Sequence, residues 1–513
     1  MVATPLQLRP RPAMPLLQLR SEDEVAVAMR DLAPGERVAT AWHELTSQTT
    51  IRRGHKVAVR EIPAGAPIRK YGQVIGYATA AITAGEHVHT HNLGYSDTGE
   101  RMAASAASTS PNPVPPRTFQ GYRRADGKVG TRNYLGILTS VNCSASVARM
   151  IAAQLNASDL LERRPDLDGA VAITHSTGCG MSDEGMAIQV LRRTLAGYAA
   201  HPNFAAVLMV GLGCEVNQLD GIGIPASSRY SSMTIQESGG TATTVRAGVA
   251  AVEALVAELP VATRTEVPAS ELVLGLKCGG SDGYSGITAN PALGVAADAI
   301  VTLGGRAVLC ETPEIYGAEH LLAARATGPA VADRLLARIQ WWRAYVARHE
   351  ASLDNNPSPG NKAGGITTIL EKSLGAVAKA GTAPLSAVYE YAESISVPGL
   401  GFMDTPGYDP VSVTGLIAGG ANVVCFTTGR GSVFGSRPTP SLKLSTNTEL
   451  FERMPGDIDV NCGQIATGDA TVEQVGARIL DAVLATASGQ RTRSEELGMG
   501  QDEFVPWTLG PVV

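Results

Sequence analysis

The chain has 513 residues, 44% hydrophobic and 18% charged, which is long enough for about two to four globular domains. A net charge of −6 without a lysine- or arginine-rich run argues against nucleic-acid binding. The sequence contains no stretch of about eighteen apolar residues, so we expect no membrane span. The odd number of cysteines, seven, and the absence of an apolar signal core in residues 1–20 lead us to expect a cytoplasmic protein.

The first part of the chain is predicted to form a small all-β module. Scattered arginines and prolines in residues 1–20 indicate a disordered tail. Between residues 21 and 95, short β-type runs alternate with turn signals such as Pro63, Ala64 and Gly65. We expect strands at residues 25–29, 37–40, 55–59, 67–69, 74–79 and 87–89. Residues 96–118, rich in Ser, Ala and Pro, predict a linker.

After the linker, runs that are apolar throughout alternate with helical segments. This pattern is typical of α/β proteins with mostly parallel, Rossmann-like sheets that are buried on both faces. Strands are predicted at residues 134–138, 169–174, 205–210, 272–276, 307–310 and 421–426, and helices at residues 144–155 and 186–195. A change in composition near residues 384–397 predicts a boundary between a domain at 119–390 and a C-terminal α/β domain at 391–513.

Four cysteines each follow a predicted strand: Cys143, Cys179, Cys214 and Cys278. Open α/β sheets bind ligands at the carboxyl ends of their strands, and thiolates favour iron, zinc or an iron–sulfur cluster. We therefore interpret these four as candidate metal ligands. The long gaps between them match no compact metal motif, and a free cysteine is also a common small core residue.

Other polar residues lie in loops near those strand ends. We predict a catalytic role for His175 and Lys362, and substrate binding by five more residues: Asn217, Ser281, Asp282, Asn361 and Arg430. The Arg430 guanidinium follows a buried strand and matches the geometry of a carboxylate. The alternative for each is an ordinary turn residue.

The small module contributes a run of histidines in the segment GEHVHTHN. His87, His89 and His91 alternate along the chain, so on a strand they would share one face and bind a cation or an anionic substrate. We predict His87 and His91 as metal ligands, and His89 together with His55 as catalytic acid or base. Lys70 is predicted to bind substrate. A solvent-exposed strand face is the alternative.

Together these motifs resemble the altronate/galactarate dehydratase family of sugar-acid dehydratases. The segments that carry the resemblance run in family order: RGHKVAVREIPAGAPIRKYGQVIGYA, GEHVHTHN, GYRRADGKVGTRNYLGILTSVNC, HSTGCG, VGLGCE, KCGGSDGYSGITANPALG, NNPSPGNKAGG and FTTGRG. The first module resembles the SAF-type (β-clip) domain that precedes the dehydratase body in this family.

The resemblance implies loss of water from a sugar acid to give a 2-keto-3-deoxy acid, with a divalent metal, usually Fe²⁺ with Mn²⁺ as the alternative. An iron–sulfur cluster on the cysteines stays open. GEHVHTHN and VPWTLGP are more similar to the altronate-type members, which favours D-altronate as substrate, 2-keto-3-deoxy-D-gluconate as product and a place in hexuronate degradation.

Three other functions stay open: dehydration of galactarate or a related hydroxy acid, a sugar-acid sensor without chemistry, and a thiol-dependent hydrolase or aldolase. In each case we expect a small-molecule ligand and no nucleic-acid or membrane partner. A homo-oligomer is also expected.

Overall fold

The computed structural model describes residues 14–96 and 113–510. The first module is all-β, as predicted. Its strands form sheets in the orders β1-β2-β5-β8, β6-β7-β9 and β3-β4. The strands are β1 (Leu16–Leu17), β2 (Val25–Ala28), β3 (Arg37–Ala39), β4 (Glu44–Thr46), β5 (Lys56–Ala58), β6 (Pro67–Lys70), β7 (Gln73–Ala78), β8 (His87–Val88) and β9 (Leu93–Gly94).

The structure differs from the prediction at the start of the module. Residues 14–20, which we expected to be part of a disordered tail, include β1, and this strand pairs antiparallel with β2. The pairing holds because Leu16 is buried in the core of the module beside Ala26 and Ala28. The rest of the predicted tail, residues 1–13, and most of the predicted linker, residues 97–112, lie outside the described residues.

The second unit is an α/β layer with a four-stranded parallel sheet in the order β13-β12-β14-β15. Strands β12 and β14 are buried along their whole length, since helices cover both faces of the sheet. Its elements are β10 (Thr118–Arg123), β11 (Val129–Gly130), β12 (Tyr134–Thr139), α1 (Ala145–Ala157), α2 (Leu160–Arg163), β13 (Ala170–Ile173), α3 (Met186–Ala199), β14 (Phe204–Gly211), β15 (Tyr230–Thr234) and α4 (Thr241–Glu258).

The third unit is built on a seven-stranded parallel sheet in the order β19-β20-β18-β17-β21-β22-β23. Helices α5 and α13 pack on one face, and α10 covers the other and reaches α3. The elements are β16 (Thr265–Pro268), β17 (Val273–Cys278), α5 (Ala289–Thr302), β18 (Arg306–Cys310), α6 (Glu319–Ala323), α7 (Pro329–Arg348), α8 (Pro359–Ala363), α9 (Ile369–Val377), β19 (Leu385–Tyr389), β20 (Gly399–Met403), α10 (Asp409–Ala418), β21 (Val423–Thr428), β22 (Ser441–Ser445), α11 (Thr448–Arg453), β23 (Val460–Asn461), α12 (Gln464–Thr467), α13 (Val472–Ala487) and α14 (Arg493–Glu496).

The two α/β units meet at a different place from the boundary predicted at residue 390. Strands β19 and β20 lie on either side of that position and pair in parallel within one sheet. The connection between them is short, and its Tyr391 and Ile395 are buried, so it cannot act as a linker. The change from one sheet to the other falls between β15 and β17.

The order of the large sheet fixes where a ligand can bind. From β17 the chain adds strands on one side, through β18, and then returns to place β21 on the other side. In open α/β sheets, the crevice at the carboxyl ends of the two strands where this reversal occurs is the usual ligand site. The relevant loops here follow Cys278 and Thr428. Within the described ranges, no helix combines the length and apolar character that a membrane crossing requires.

Candidate active site

A cluster of histidines from the first module lies against the third unit. The ring centroids of His55, His87 and His89 are 5.1, 5.1 and 5.4 Å apart in pairs, and His55 Nδ1 lies 3.0 Å from His87 Nε2. Because His87, His89 and His91 occupy every second position, the sequence predicts that they share one face of a strand. Strand β8 instead ends at Val88, and His91 is exposed, with its ring centroid 5.5 Å from that of His87.

The three clustered imidazoles are neutral at physiological pH. Burial lowers the pKa of His55 to about 4 and that of His87 to about 3, and it also lowers the pKa of His89. Neighbouring histidines add to the effect, because a second positive charge would be close. Neutral imidazoles keep a nitrogen lone pair that can accept a proton or bind a metal ion.

Two backbone carbonyls of the third unit orient these rings. His89 Nε2 lies 2.8 Å from the Lys362 oxygen, and His55 Nε2 lies 3.3 Å from the Ala363 oxygen. Since a carbonyl oxygen only accepts, each Nε2 carries the proton and donates it. The lone pair of His55 is then on Nδ1, the atom that faces His87. Lys362, predicted as catalytic, thus contributes its carbonyl to the cluster.

A buried ion triad fastens the first module beside these histidines. Lys56 Nζ and Lys70 Nζ lie 2.8 and 2.9 Å from the two carboxylate oxygens of Glu371 on α9, and all three side chains are at most 2% exposed. Lys70, predicted to bind substrate, is therefore a buried partner of Glu371.

A small cavity opens beside the histidine cluster. It has a volume of about 150 Å³, and its lining includes Arg52, Arg53, His55, Asp282, Arg430 and Arg453. Arg53 pairs with Glu449, but none of the other three arginines forms an ion pair with a carboxylate in residues 14–96 or 113–510. We call this space the arginine cavity. Its cationic lining suits an anionic ligand.

Asp282 shapes the wall of the arginine cavity. Its carboxylate accepts hydrogen bonds from Thr446 Oγ1, at 2.9 Å, and from Ser285 Oγ and the Tyr284 N–H, both at 3.1 Å. Burial raises its pKa, although these donors oppose the shift. The carboxylate is saturated by protein donors, so Asp282 positions the loop and does not offer a free acceptor to substrate.

Ser281 and Asn361, also predicted to bind substrate, hold two loops together. Asn361 Nδ2 donates to the Ser281 carbonyl at 2.8 Å, and Asn361 Oδ1 accepts from the Ser358 N–H at 2.9 Å. The second bond belongs to a capping box that starts α8. The loop that carries Lys362 is thereby fixed against the end of β17.

Sequence reasoning missed a second polar cluster, which lies at the carboxyl ends of β17 and β18. Lys277 pairs with Glu311, Lys372 Nζ lies 2.8 Å from Glu314 Oε1, and Lys379 Nζ lies 2.6 Å from Cys278 Sγ. We call these six residues the lysine–carboxylate cluster. A cavity of about 470 Å³ opens onto its edge, and its lining includes Glu314, Lys372 and Asp409.

One signal in the sequence and one in the backbone conformation point to this cluster. Lys277 interrupts the otherwise apolar run of β17, although it is fully buried. Glu311 adopts a left-handed backbone conformation with φ of 74°, which is costly for a residue with a Cβ and is often found at functional sites. Neither feature belongs to a recognisable motif.

The lysine–carboxylate cluster also contains a possible metal-binding group, Cys278, Glu311 and Glu314, whose donor atoms lie within 4.8 Å of one another. Each donor already faces an ammonium. Burial raises the pKa of Cys278 to about 11 although Lys379 opposes the shift, and burial and Glu314 raise that of Glu311. A cation would therefore have to displace three ammonium groups in order to bind there.

The four predicted cysteine ligands do not form one site. Cys143, Cys179 and Cys214 follow β12, β13 and β14 in the four-stranded sheet and are exposed, whereas Cys278 is buried at the end of β17 in the other sheet. The structure therefore places Cys278 apart from the other three candidate ligands, because their strands belong to two different sheets, and metal binding by these cysteines stays a prediction.

His175 and Asn217 lie beside the three exposed cysteines but face inward. His175 Nε2 donates to the Thr139 carbonyl at 3.0 Å, its ring packs against Phe504, and burial lowers its pKa to about 4. Asn217 Nδ2 donates to the Ser140 carbonyl at 2.9 Å. Both side chains thus stabilise the edge of the sheet, and neither lies at the arginine cavity.

Comparison with known proteins agrees with this architecture. Three family models match in succession: the altronate/galactarate dehydratase SAF domain at residues 14–96, the second domain of D-galactarate dehydratase/altronate hydrolase at 121–260, and the C-terminal domain of D-galactarate/altronate dehydratase at 269–512. The matched ranges correspond to the β module and the two α/β units.

Curated relatives cover almost the whole chain. Altronate dehydratase of Bacillus subtilis (strain 168) is 36% identical over 94% of this chain and 96% of its own length. Altronate dehydratase of Escherichia coli (strain K12) is 37% identical over 94% and 97%. Galactarate dehydratase (L-threo-forming) of the same strain is 37% identical over 94% and 95%. Fold and similarity thus define a hydro-lyase. The chain belongs to the D-galactarate/altronate dehydratase family.

Proposed function

We propose that this protein dehydrates D-altronate to 2-keto-3-deoxy-D-gluconate in the arginine cavity. One observation carries the assignment of the site: the neutral imidazole of His55 shares the cavity with Arg52, Arg430 and Arg453, which have no carboxylate partner in the described residues. An anion site next to an unprotonated base is what removal of a proton α to a carboxylate requires. The two altronate dehydratases among the relatives support the substrate.

The reaction is a β-elimination. A base removes the proton at C2, the hydroxyl at C3 leaves with a proton from an acid, and the resulting enol rearranges to the 2-keto acid. In our proposal Arg430 binds the substrate carboxylate through paired hydrogen bonds and stabilises the negative charge that develops there. The lone pair of His55 Nδ1 accepts the C2 proton, and the His55 ring then gives a proton to the leaving hydroxyl, which departs as water.

A divalent metal, Fe²⁺ with Mn²⁺ as the alternative, fits the histidine cluster. His87 and His89 would hold it, because both rings are neutral and their centroids lie 5.4 Å apart. His89 donates its Nε2 proton to the Lys362 carbonyl, a common arrangement for metal-bound histidines, and this leaves its Nδ1 for the metal. When bound, the metal would act as a Lewis acid towards the substrate oxygens.

The catalytic assignment is tested by steady-state kinetics on altronate. We expect His55→Asn to lower kcat by about 10²–10⁴-fold, the usual contribution of a general base. Arg430→Gln should mainly raise KM if the guanidinium binds the carboxylate. His43→Asn, in the same module but outside the cluster, is the matched control. Full kcat in His55→Asn would refute the role of this histidine.

The metal assignment is tested by metal content after loading with Fe²⁺ under nitrogen. His87→Asn should lose the bound ion, and His43→Asn should retain it. Glu314→Gln serves as the competing test, because this change removes a donor of the lysine–carboxylate cluster. If Glu314→Gln loses the metal and His87→Asn keeps it, the metal belongs to Cys278, Glu311 and Glu314.

Galactarate is the second candidate substrate, because the relative named for it is as similar as the altronate dehydratases. Galactarate carries a carboxylate at each end, and the arginine cavity has Arg52 and Arg430 to meet two anions. The ratio of kcat/KM for the two acids decides between them. A homo-oligomeric state stays a prediction, which the mass of the particle in solution would test.

A further inference from the structure

All three exposed cysteines of this chain lie at one edge of one sheet. Cys143, Cys179 and Cys214 are exposed, and the other four cysteines are buried. Exposed thiols are open to oxidation and are unusual on the surface of a protein that does not use them. Their strands are neighbours, in the order β13-β12-β14, so their loops lie side by side at the same end of the sheet.

Hydrogen bonds connect the three loops into one structure. The Asn142 N–H donates to the Thr177 carbonyl at 2.9 Å, which links the Cys143 loop to the Cys179 loop. The Asn217 N–H donates to the Gly178 carbonyl at 3.0 Å, which links the Cys179 loop to the Cys214 loop. Asn217 Nδ2 closes the set by donating to the Ser140 carbonyl, just before Cys143.

Each of the two outer loops is shaped around its cysteine. Gly178 has φ of 103°, and a Cβ there would lie 2.4 Å from the Ser140 carbonyl oxygen, so only glycine allows this approach. Beside Cys214, the buried Glu215 carboxylate accepts from the Gly213 N–H at 2.6 Å and from the Leu212 N–H at 3.1 Å. The thiols are thus carried by fixed backbone at the rim of the sheet.

The two kinds of centre that thiolates hold, a single ion and a cluster, differ in how far apart the ligand sulfurs lie. Around a single tetrahedral ion with metal–sulfur bonds of about 2.3 Å, ligand sulfurs lie about 3.8 Å apart. The three sulfur atoms here do not all lie within 4.8 Å of one another, whereas Cys278 and its two glutamates do. In a cubane cluster each thiolate binds a different iron, so the sulfurs are farther apart.

We propose that Cys143, Cys179 and Cys214 bind an iron–sulfur cluster as thiolates, each on a separate iron, and leave one iron of the cluster open to an oxygen ligand. The thiols release their protons on binding. This centre is separate from the histidine cluster and the arginine cavity, so it does not rest on the proposed function. Its open iron would suit water or the carboxylate of a hydroxy acid.

The test is reconstitution of the full chain with Fe²⁺ and sulfide under nitrogen, followed by assay of bound iron and acid-labile sulfide. The intact protein should bind about four sulfides, with about four irons in addition to any ion at the histidine cluster, and Cys143→Ser, Cys179→Ser and Cys214→Ser should each lose the sulfide. Cys278→Ser, the matched control, should keep it. One zinc per chain, iron without sulfide, or sulfide retained in any of the three variants would overturn the proposal.

A second measurement on the unaltered chain guards against misfolded variants. Iodoacetamide labelling followed by mass spectrometry should modify Cys143, Cys179 and Cys214 in the protein without the cluster and spare all three after reconstitution. Equal labelling in the two samples would contradict the cluster. Neither readout depends on turnover, so failure of the altronate assay would leave this result unaffected.

Discussion

Replacing Glu371 by glutamine tests how the first module is held against the third unit. Glu371 is the shared partner of Lys56 and Lys70, and it also accepts from the Thr367 N–H at 2.9 Å and from Thr367 Oγ1 at 2.8 Å. Burial raises the pKa of Glu371, but Lys56 and Lys70 more than offset this and hold it well below its usual range. The carboxylate is therefore charged throughout the physiological range.

Glutamine keeps the volume and removes the charge, which leaves two buried ammonium groups without a counter-ion. Loss of one member of a buried ion pair costs about 3–5 kcal/mol. For a unit the size of the first module, residues 14–96, that cost corresponds to a fall of at least about 12 °C in the melting temperature. Because both lysines lie in the first module, we expect the first thermal transition, in which this module separates from α9, to shift most.

Differential scanning calorimetry of three proteins measures this effect: the unaltered chain, Glu371→Gln and Glu61→Gln. Glu61 is an exposed carboxylate of the same module with no ion pair in the described residues, so its substitution controls for charge alone. Glu371→Gln and Glu61→Gln transitions within about 1 °C of each other would refute the view that the triad holds the module in place.

Two further predictions concern acid stability and the module interface. Burial lowers the pKa of His201 to about 3, whereas an unfolded histidine has a pKa of about 6.5. Below pH 6.5 the unfolded chain therefore binds more protons than the folded one, and the free energy of unfolding should fall as the pH is lowered towards 4. The contribution of His201 to this loss is about 2 kcal/mol at pH 5. Urea titrations at several pH values should show a shallower loss in His201→Gln, and an unchanged slope would contradict the assignment. A Cβ at Gly283 would lie 1.9 Å from the Gly54 carbonyl oxygen, so Gly283→Ala should displace the first module and lower altronate turnover. Gly456→Ala, where a Cβ meets no atom within 4 Å, is its control, and full activity in Gly283→Ala would show that docking tolerates the change.

The sequence predicts those parts of the fold that repeat a simple pattern. The sequence predicts a strand at residues 134–138, and β12 is found at Tyr134–Thr139. The prediction succeeds because every residue of β12 is buried, and runs that are apolar throughout are typical of parallel strands covered on both faces. The boundary near residue 390 could not be placed, because a short buried connection between adjacent parallel strands has the same composition as a linker.

The candidate site depends on contacts between distant segments, which no local pattern reveals. His55 joins the histidine cluster because β5 pairs antiparallel with β8, with Val57 opposite His87. The lysine–carboxylate cluster combines the ends of β17 and β18 with Lys372 on α9, and its charged residues are buried, where sequence statistics place apolar ones. Such clusters become visible only when the register of strands and helices is known.

The most direct test of the account is the reaction of the purified, Fe²⁺-loaded protein with D-altronate in D₂O, with the product analysed by NMR. Removal of the C2 proton by a base, followed by rearrangement of the enol, predicts 2-keto-3-deoxy-D-gluconate with one deuterium at C3. A parallel incubation of the product without enzyme corrects for spontaneous exchange. Absence of the keto acid would contradict the proposed activity, and a product without deuterium at C3 would contradict the base mechanism.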